Sequence, residues 1–186
     1  MLASMRAMLC ACLLLLGLAG AAAADQKDPR LDTLFAMLKA STSPREAATF
    51  EGEIWSLWLA HDSATVSLLM GRTLQAMNQG RLADSLEILD EMVVLAPDFA
   101  EAWNKRATVL YLMQRFEASL RDVEKTLALE PRHFGALSGA GLIFDALGQQ
   151  AAALHAYREA LAVHPNLGHA RERIQALEEA LAGEAL

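Results

Sequence analysis

The chain has 186 residues, of which 54% are hydrophobic and 21% charged, a composition typical of a globular protein with room for one domain. Its formal net charge is -7 at pH 7, and no run of basic residues offsets it. Because proteins that bind nucleic acids carry a basic patch or stripe, the sequence argues against a nucleic-acid partner.

The N-terminal segment has the layout of a secretory signal peptide. A lone Arg6 precedes an apolar, leucine-rich run over residues 7–18, and small residues follow at 20–24. We therefore predict a signal peptide over residues 1–24, cleaved after Ala24, and export to the periplasm. The alternative is a retained membrane anchor, although the apolar run is shorter than the roughly 20 residues that a spanning helix needs. Cleavage would leave no membrane span and would change the formal charge from -7 to -8, because Arg6 is the only charged residue removed.

Both cysteines, Cys10 and Cys12, lie inside this predicted signal peptide. The mature chain is therefore expected to contain no disulfide, no cysteine-ligated zinc ion and no thiolate nucleophile. Its stability must then come from packing.

Residues 25–65 are predicted to form an N-terminal helical hairpin, either a cap or a degenerate repeat. The first helix has one apolar stripe at helical spacing, formed by Leu31, Leu34, Phe35 and Leu38. Ser43, followed by a proline and then by Glu46, forms the capping box that starts the second helix. Trp55 and Trp58 lie on the buried face of that helix. They are expected to pack against the first repeat, with an exposed aromatic ligand site as the alternative.

Three prolines, Pro97, Pro131 and Pro165, follow one another at a spacing of 34 residues. A fixed period of this length indicates stacked repeats. The predicted repeats cover approximately 66–99, 100–133 and 134–167. Each contains two helices joined by a short turn, and such short links make the two helices antiparallel. Residues 166–186 are predicted to form a C-terminal capping helix, with one apolar stripe and an otherwise charged surface.

The repeats resemble those of the tetratricopeptide repeat (TPR) family. In the second repeat, Trp103 and Ala107 stand at the family's tryptophan and small-residue positions. The third repeat matches at Gly141, Ala153, Tyr157, Ala160 and Pro165. The first repeat departs from the pattern, with Thr73 and Ser85 where the family has small residues. Segment 100–107 is also similar to bacterial exported TPR proteins. The resemblance implies an all-α, right-handed superhelical solenoid of antiparallel helix pairs.

No catalytic or metal-binding pattern is found in the sequence. Ser138 lies in a glycine-rich segment, but Ala136 and Ala140 replace the glycines of a nucleophile elbow. The dinucleotide fingerprint fails as well, because Phe144 stands at its third glycine. The histidines form no HExxH pair and no haem-attachment motif, and a metal site of His164 and His169 is the less favoured alternative. We therefore expect no catalysis, no metal site and no cofactor. The glycines of this segment are expected to allow close helix packing.

The resemblance also implies that the first helix of each repeat lines a concave groove. The groove positions fall on Met70, Leu74, Met77, Asn104, Lys105, Thr108, Tyr111, Ser138, Leu142 and Asp145. This mixture of flexible methionine, tyrosine and polar groups suits a peptide segment with apolar anchors. The family also has a clamp for C-terminal carboxylates built from lysine and asparagine. That clamp is not matched, because residues such as Leu74 and Gly139 occupy most of its positions.

A second candidate site lies at the start of the third repeat. Arg132 stands where another repeat has Asp98, a good helix cap, and arginine has no acceptor, so the sequence predicts a missing cap. We hypothesise that Arg132 and His133, beside Asn104 and Lys105, form a small cationic spot that binds a carboxylate or backbone carbonyls of a partner. The alternative is a salt bridge from Arg132 to a neighbouring acid such as Asp98 or Glu101.

Taken from the sequence, the predicted function is that of an exported protein-interaction or scaffold module. A protein or peptide partner, of unknown identity, is expected to bind in the concave groove. The first alternative is a self-assembling or structural subunit of a bacterial envelope machine, and a less favoured one is a small hydrolase. The sequence leaves the oligomeric state open.

Overall fold

The computed structural model describes residues 26–184, and every regular element in this part of the chain is an α-helix. The helices are α1 (Arg30–Ala40), α2 (Pro44–Leu59), α3 (Ala64–Asn78), α4 (Leu82–Leu95), α5 (Ala100–Leu112), α6 (Phe116–Leu129), α7 (Phe134–Ala146), α8 (Gln150–Val163) and α9 (Gly168–Glu184). The all-α prediction is confirmed. The predicted signal peptide lies outside the described residues, and within 26–184 no helix is long and apolar enough to cross a bilayer.

Six of these helices pack as three antiparallel pairs, α3 with α4, α5 with α6 and α7 with α8. Each pair also packs against the next one along the chain. The apolar core crosses the boundary between pairs, since Leu89 and Met92 of α4 pack in one cluster with Ala102 and Val109 of α5. A pair therefore shares its core with its neighbour, as expected for a solenoid.

Each pair turns through one residue in the left-handed region of backbone space. These residues are Gly80 (φ 70°), Gln114 (φ 59°) and Gly148 (φ 71°), which stand at equivalent places in the three repeats. In all three turns the next amide donates a hydrogen bond to a carbonyl in the last turn of the preceding helix. Glycine adopts this conformation without steric cost, whereas the Cβ of glutamine crowds the following carbonyl.

Replacing the strained residue should therefore stabilise the protein. We expect Gln114→Gly to raise the free energy of unfolding by about 0.5–1 kcal/mol, because relief of the left-handed strain exceeds the entropy cost of a glycine. Urea unfolding followed by circular dichroism measures the change. The matched control is Gln175→Gly at an exposed position inside α9, where glycine should destabilise the helix by about 1 kcal/mol. Equal destabilisation by both variants would contradict the strain argument.

Small residues set the distance between the two helices of a repeat. A Cβ added at Gly141 would lie 2.6 Å from the ring of Tyr157, so α7 and α8 approach as closely as they do only because this residue is glycine. The prediction of close packing is confirmed at Gly141, whereas Gly139 has open space around it. Ser85 and Ser119 are both fully buried, and each donates its hydroxyl proton to a backbone carbonyl. Serine thus replaces alanine there without leaving an unpaired polar group.

The N-terminal hairpin lies along the loops that join successive repeats. Its second helix begins at the predicted cap, with Ser43 Oγ accepting from the Glu46 amide at 3.3 Å. The Glu46 carboxylate accepts from the Thr42 amide at 3.0 Å, one residue before the amide that the predicted capping box would use. The start of the described chain is held at the loop before α5, where the Gln26 side chain bonds to the backbone of 98–100. Further along, Asp32 pairs with Arg132 before α7, and Ser41 accepts from Asn166 before α9. The segment 26–41 therefore meets the two inter-repeat loops and then the loop before α9, in chain order.

Helix α2 returns past the same loops in the opposite order. Glu51 lies 3.2 Å from His164, and the ring of Trp58 stacks on that of His133 with centroids 4.0 Å apart. Trp55 and Trp58 both contact the ring of Phe134 at the start of α7. The prediction that these tryptophans pack against the first repeat is therefore wrong. The tryptophans instead pack on the aromatic ring at the start of the third repeat, in edge-on and tilted ring contacts of the kind that stabilise aromatic pairs.

The C-terminal helix α9 packs on the last pair. Ala170 and Leu177 of α9 join Leu154 and Tyr157 of α8 in one apolar cluster. The charged residues of α9 lie around this contact and reach back to the repeats, as in the ion pair of Arg173 with Asp145. The last repeat thus has its apolar face covered, as the sequence predicts for a capping helix.

Candidate functional site

A cavity of about 270 Å³ opens on the groove side of the solenoid, between α5 and α7. Five of the residues predicted for the groove line it, namely Asn104, Thr108, Tyr111, Ser138 and Leu142. They come together because residues three or four positions apart share one face of a helix, and the inner faces of α5 and α7 are adjacent. The cavity therefore has apolar walls and several polar groups between them.

The N-terminal hairpin supplies one wall of this cavity. Glu51 and Trp55 of α2 line it opposite the repeats. Trp55 rests on Gly135, where an added Cβ would lie 2.8 Å from the indole ring. The ammonium group of Lys105 lies 5.0 Å from the centre of the Trp55 ring, within cation–π range. Lys105, which was predicted to face a partner, is thus in contact with the hairpin.

Sequence reasoning missed the hairpin's share of the site. Glu51, Trp55 and Gly135 line the cavity together with His169 of α9. None of them was among the predicted groove residues, although an aromatic ligand site at Trp55 was the alternative. The sequence did hold one signal, at Gly135. A glycine in the first turn of α7 destabilises the helix relative to alanine, so its presence indicates that another group occupies the space where a Cβ would lie. Nothing local in the sequence shows that the group is Trp55, which is far away along the chain.

The remaining predicted groove residues lie away from the cavity. Met70 is buried in the core of the first repeat, and Leu74 and Met77 are half-buried against the same cluster. Met70 is therefore corrected to a core residue, because the side chains of α4 and α5 close over it. Asp145 accepts a hydrogen bond from Arg173 of α9 at 2.8 Å, so its carboxylate is already engaged.

A buried polar network lies next to the cavity. Glu101, 1% exposed, forms an ion pair with Lys105 at 2.7 Å and accepts hydrogen bonds from Asn104 and from His133, each at 2.9 Å. Burial alone would raise the pKa of Glu101, but the charge of Lys105 and the hydrogen bond from His133 outweigh it and hold the pKa below its ordinary value. The carboxylate therefore stays charged inside the protein.

The predicted missing cap at the start of the third repeat is not observed. The N-cap of α7 is His133, whose Nδ1 accepts from the Ala136 amide at 3.0 Å. Because Nδ1 accepts a hydrogen bond, the ring proton lies on Nε2 and is donated to Glu101. A histidine thus caps the helix and completes the buried network at the same time. The prediction failed because only the structure shows that the cap lies one residue beyond Arg132.

At the predicted cationic spot, the side chains of Arg132 and His133 already contact acidic residues of the same chain. Arg132 pairs with Glu130 at 3.0 Å and with Asp32 of the hairpin at 2.6 Å, and these pairs raise its pKa. His133 is completely buried and faces Glu101. The salt-bridge alternative therefore holds for Arg132, with Glu130 and Asp32 as partners instead of Asp98 or Glu101. The ion pair of Arg132 with Asp32 joins the hairpin to the third repeat.

The site offers little for catalysis or metal binding. Ser138 and His169 lie within hydrogen-bonding distance of each other, but Ser138 sits within helix α7 and not on a strand-to-helix turn. Among the hydrogen bonds of residues 26–184, none joins His169 to a carboxylate, so the pair lacks the third group of a triad. Within the same residues, no three histidines or acids are grouped to hold a metal ion.

Stacked helical hairpins with a groove on one side define a class of protein, the helical-repeat solenoids. No family model matches the chain. A TPR repeat-containing protein of Rhizobium etli is 39% identical over 161 residues, which are 87% of this chain and 79% of the relative. The chain therefore belongs to the tetratricopeptide repeat family.

Solved structures share the fold at lower sequence identity. The first TPR domain of Spaghetti, solved with an HSP90 peptide bound, has a TM-score of 0.62 at 21% identity. The match covers 65% of this chain and 96% of that domain. MamA matches with a TM-score of 0.61 at 22% identity, over 75% of this chain and 79% of that protein.

Proposed function

We propose that the protein is a protein-interaction module without catalysis of its own, and that it binds a peptide segment of a partner in the cavity between α5 and α7. The single observation that carries the proposal is this cavity, which lies where the inner faces of two repeats meet. A peptide-bound relative in fold, the Spaghetti domain, supports it.

The cavity restricts what the partner segment can be. Its volume of about 270 Å³ is just below the range of about 300–1,000 Å³ that is usual for small-molecule and cofactor sites. It therefore suits one or two side chains better than a cofactor. Tyr111, Leu142 and Trp55 favour an apolar side chain. Thr108 donates its hydroxyl proton to the Asn104 carbonyl, and its oxygen keeps a lone pair that can accept from an amide of the partner segment. The partner segment is expected to carry an apolar anchor residue in an extended stretch.

A charge placed in the cavity should abolish this binding. The probes are peptides selected from a random phage-displayed library against the processed protein, that is, residues 25–186 without the predicted signal peptide. Their affinity is measured by fluorescence anisotropy. We expect Leu142→Glu to weaken their binding at least about tenfold, because the carboxylate must be buried against the apolar anchor. Leu142 is 37% exposed in the free protein, so the variant should still fold.

The matched control is Met37→Glu, on the exposed face of α1 and outside this cavity. It should bind the selected peptides like the wild type. The proposal fails if the library yields no binding peptide, or if the two variants bind the peptides equally well.

We also propose that the chain is exported and cleaved after Ala24. All the contacts described above involve residues 26–184, so removal of the predicted signal peptide leaves each of them intact. Cell fractionation followed by mass spectrometry of the N-terminal peptide tests the proposal. Asp25 is the expected first residue, in the periplasmic fraction. A chain that retains Arg6 and sediments with membranes would show an uncleaved anchor.

A further inference from the structure

The first repeat presents an apolar surface to solvent. Leu68 of α3 is 63% exposed, and Val94 and Leu95 of α4 are 81% and 56% exposed. Val94 and Leu95, together with Leu69, the residue after Leu68, border a shallow depression between the two helices. Monomeric proteins rarely leave several large aliphatic side chains together in water, so a contiguous surface of this kind indicates a contact.

The repeat register shows what kind of contact is missing. The residues equivalent to Leu68 in the next two repeats are Ala102 and Ala136, which are 0% and 1% exposed. They are buried because the second helix of the preceding repeat packs against them. The N-terminal hairpin does not take that place for the first repeat, since it lies along the inter-repeat loops. In residues 26–184, the outer face of α3 is therefore left without the helix that covers its equivalents.

Charge decides which helix can cover it. The only charged residue of α3 is Arg72, which is exposed and forms no ion pair with a described residue. Its equivalent in the second repeat, Arg106, donates to Asp122 of its own repeat at 2.7 and 2.9 Å and to Asp90, on the helix that packs before it, at 2.8 Å. The residue equivalent to Asp122 in the first repeat is Ile88, so Arg72 has neither acid. A helix that covers α3 should therefore bring an acid to Arg72 and apolar side chains to Leu68.

Helix α4 of the same chain has this chemistry. It contains four acidic residues and no basic one, and its exposed Glu91 lies one turn before Val94 and Leu95. Because α3 and α4 lie side by side, each of them can meet the other in a two-fold arrangement, and every contact then occurs twice.

We propose that the open end of the first repeat binds the same end of a second copy of this chain. In this dimer α3 of each copy packs on α4 of the other. Leu68 covers Val94 and Leu95 of the partner subunit, and Arg72 pairs with Glu91 of the partner subunit. The contact leaves the cavity between α5 and α7 open in both copies, so it is independent of peptide binding.

Analytical ultracentrifugation of the processed protein over a range of concentrations tests the proposal. We expect a monomer–dimer equilibrium, and we expect Leu68→Glu to weaken the dimer at least about a hundredfold while the circular dichroism spectrum stays unchanged. The cavity variant Leu142→Glu should dimerise like the wild type, which separates this proposal from the proposed function. A wild type that stays monomeric, or a dimer that survives Leu68→Glu, overturns the inference.

A charge exchange tests the arrangement of helices. Arg72→Glu and Glu91→Arg should each weaken self-association, because like charges then face one another in the homodimer. An equal mixture of the two variants should recover a dimer, because both contacts of the mixed dimer join opposite charges. If the mixture of the two variants does not form a dimer, the pairing of α3 with α4 of the partner subunit is contradicted. That result would favour a different occupant, such as a helix of another protein.

Discussion

Trp58→Ala should lower the free energy of unfolding by about 3–5 kcal/mol, the range for removing a buried tryptophan. Its side chain is 1% exposed, stacked on the His133 ring and in contact with the rings of Phe35 and Phe134. Truncation removes these contacts and leaves a cavity at the only place where the hairpin and the third repeat share a continuous aromatic cluster among the described residues.

The loss of stability in Trp58→Ala should be larger in the hairpin than in the repeats. Hydrogen exchange measured by mass spectrometry is expected to show faster exchange in α1 and α2, while α7 and α8 keep most of their protection, because the repeats share a core with one another. The matched control is Trp103→Ala on α5, which packs in the cluster of the first repeat instead. Trp103→Ala should accelerate exchange in α4 and α5. Uniform acceleration by Trp58→Ala would show that the hairpin and the solenoid unfold together.

Glu101→Ala should lower the free energy of unfolding by about 3 kcal/mol, at the lower end of the range for breaking a buried ion pair. The substitution leaves the Nε2 proton of His133 buried without its acceptor. The cost stays at the lower end because Lys105 keeps 17% of its side chain exposed and can turn towards water. Urea unfolding measures the change. Glu117→Ala, at an exposed acid in the first turn of α6, should cost less than about 1 kcal/mol.

The contribution of Glu101 should also depend on pH in a defined direction. The pKa of Glu101 in the folded protein lies below its ordinary value of 4.5, so below pH 4.5 the unfolded chain binds more protons at this group. The stability from Glu101 is therefore fully present above pH 4.5 and is lost as the pH falls through the folded pKa. The difference in unfolding free energy between wild type and Glu101→Ala should shrink over that window. A difference that stays constant on acidification would contradict a charged, buried Glu101.

The fold of the repeats was predictable because its determinants are local. The 34-residue spacing, the cap at Ser43 and the small residue at Gly141 each depend on neighbours within one helix or one hairpin. Such local patterns can be recognised in a sequence even when the contacts between distant residues are unknown. Five of the residues predicted for the groove line the cavity, because residues such as Asn104 and Thr108 share a helix face with known orientation in a repeat.

The charged residues were harder to interpret from sequence. Arg132, His133 and Lys105 were grouped as a cationic spot because they are close in the repeat register, but each of them has an acidic partner in the fold. One of these partners, Asp32, lies in the hairpin, 100 positions away along the chain. A charge pattern shows which residues need partners, whereas the partners themselves depend on the path of the whole chain.

The sequence by itself determined the helices, their pairing into three repeats and the family. Only the tertiary structure decided that the hairpin runs along the inter-repeat loops and walls the cavity, and that the outer face of α3 stays open. The physical reason is that an amphipathic hairpin gains similar free energy on any apolar surface of suitable size, since burial of apolar area is not directional. The choice between the first repeat and the third depends on specific groups, such as the space above Gly135 and the ring of His133, that come together only in the folded protein.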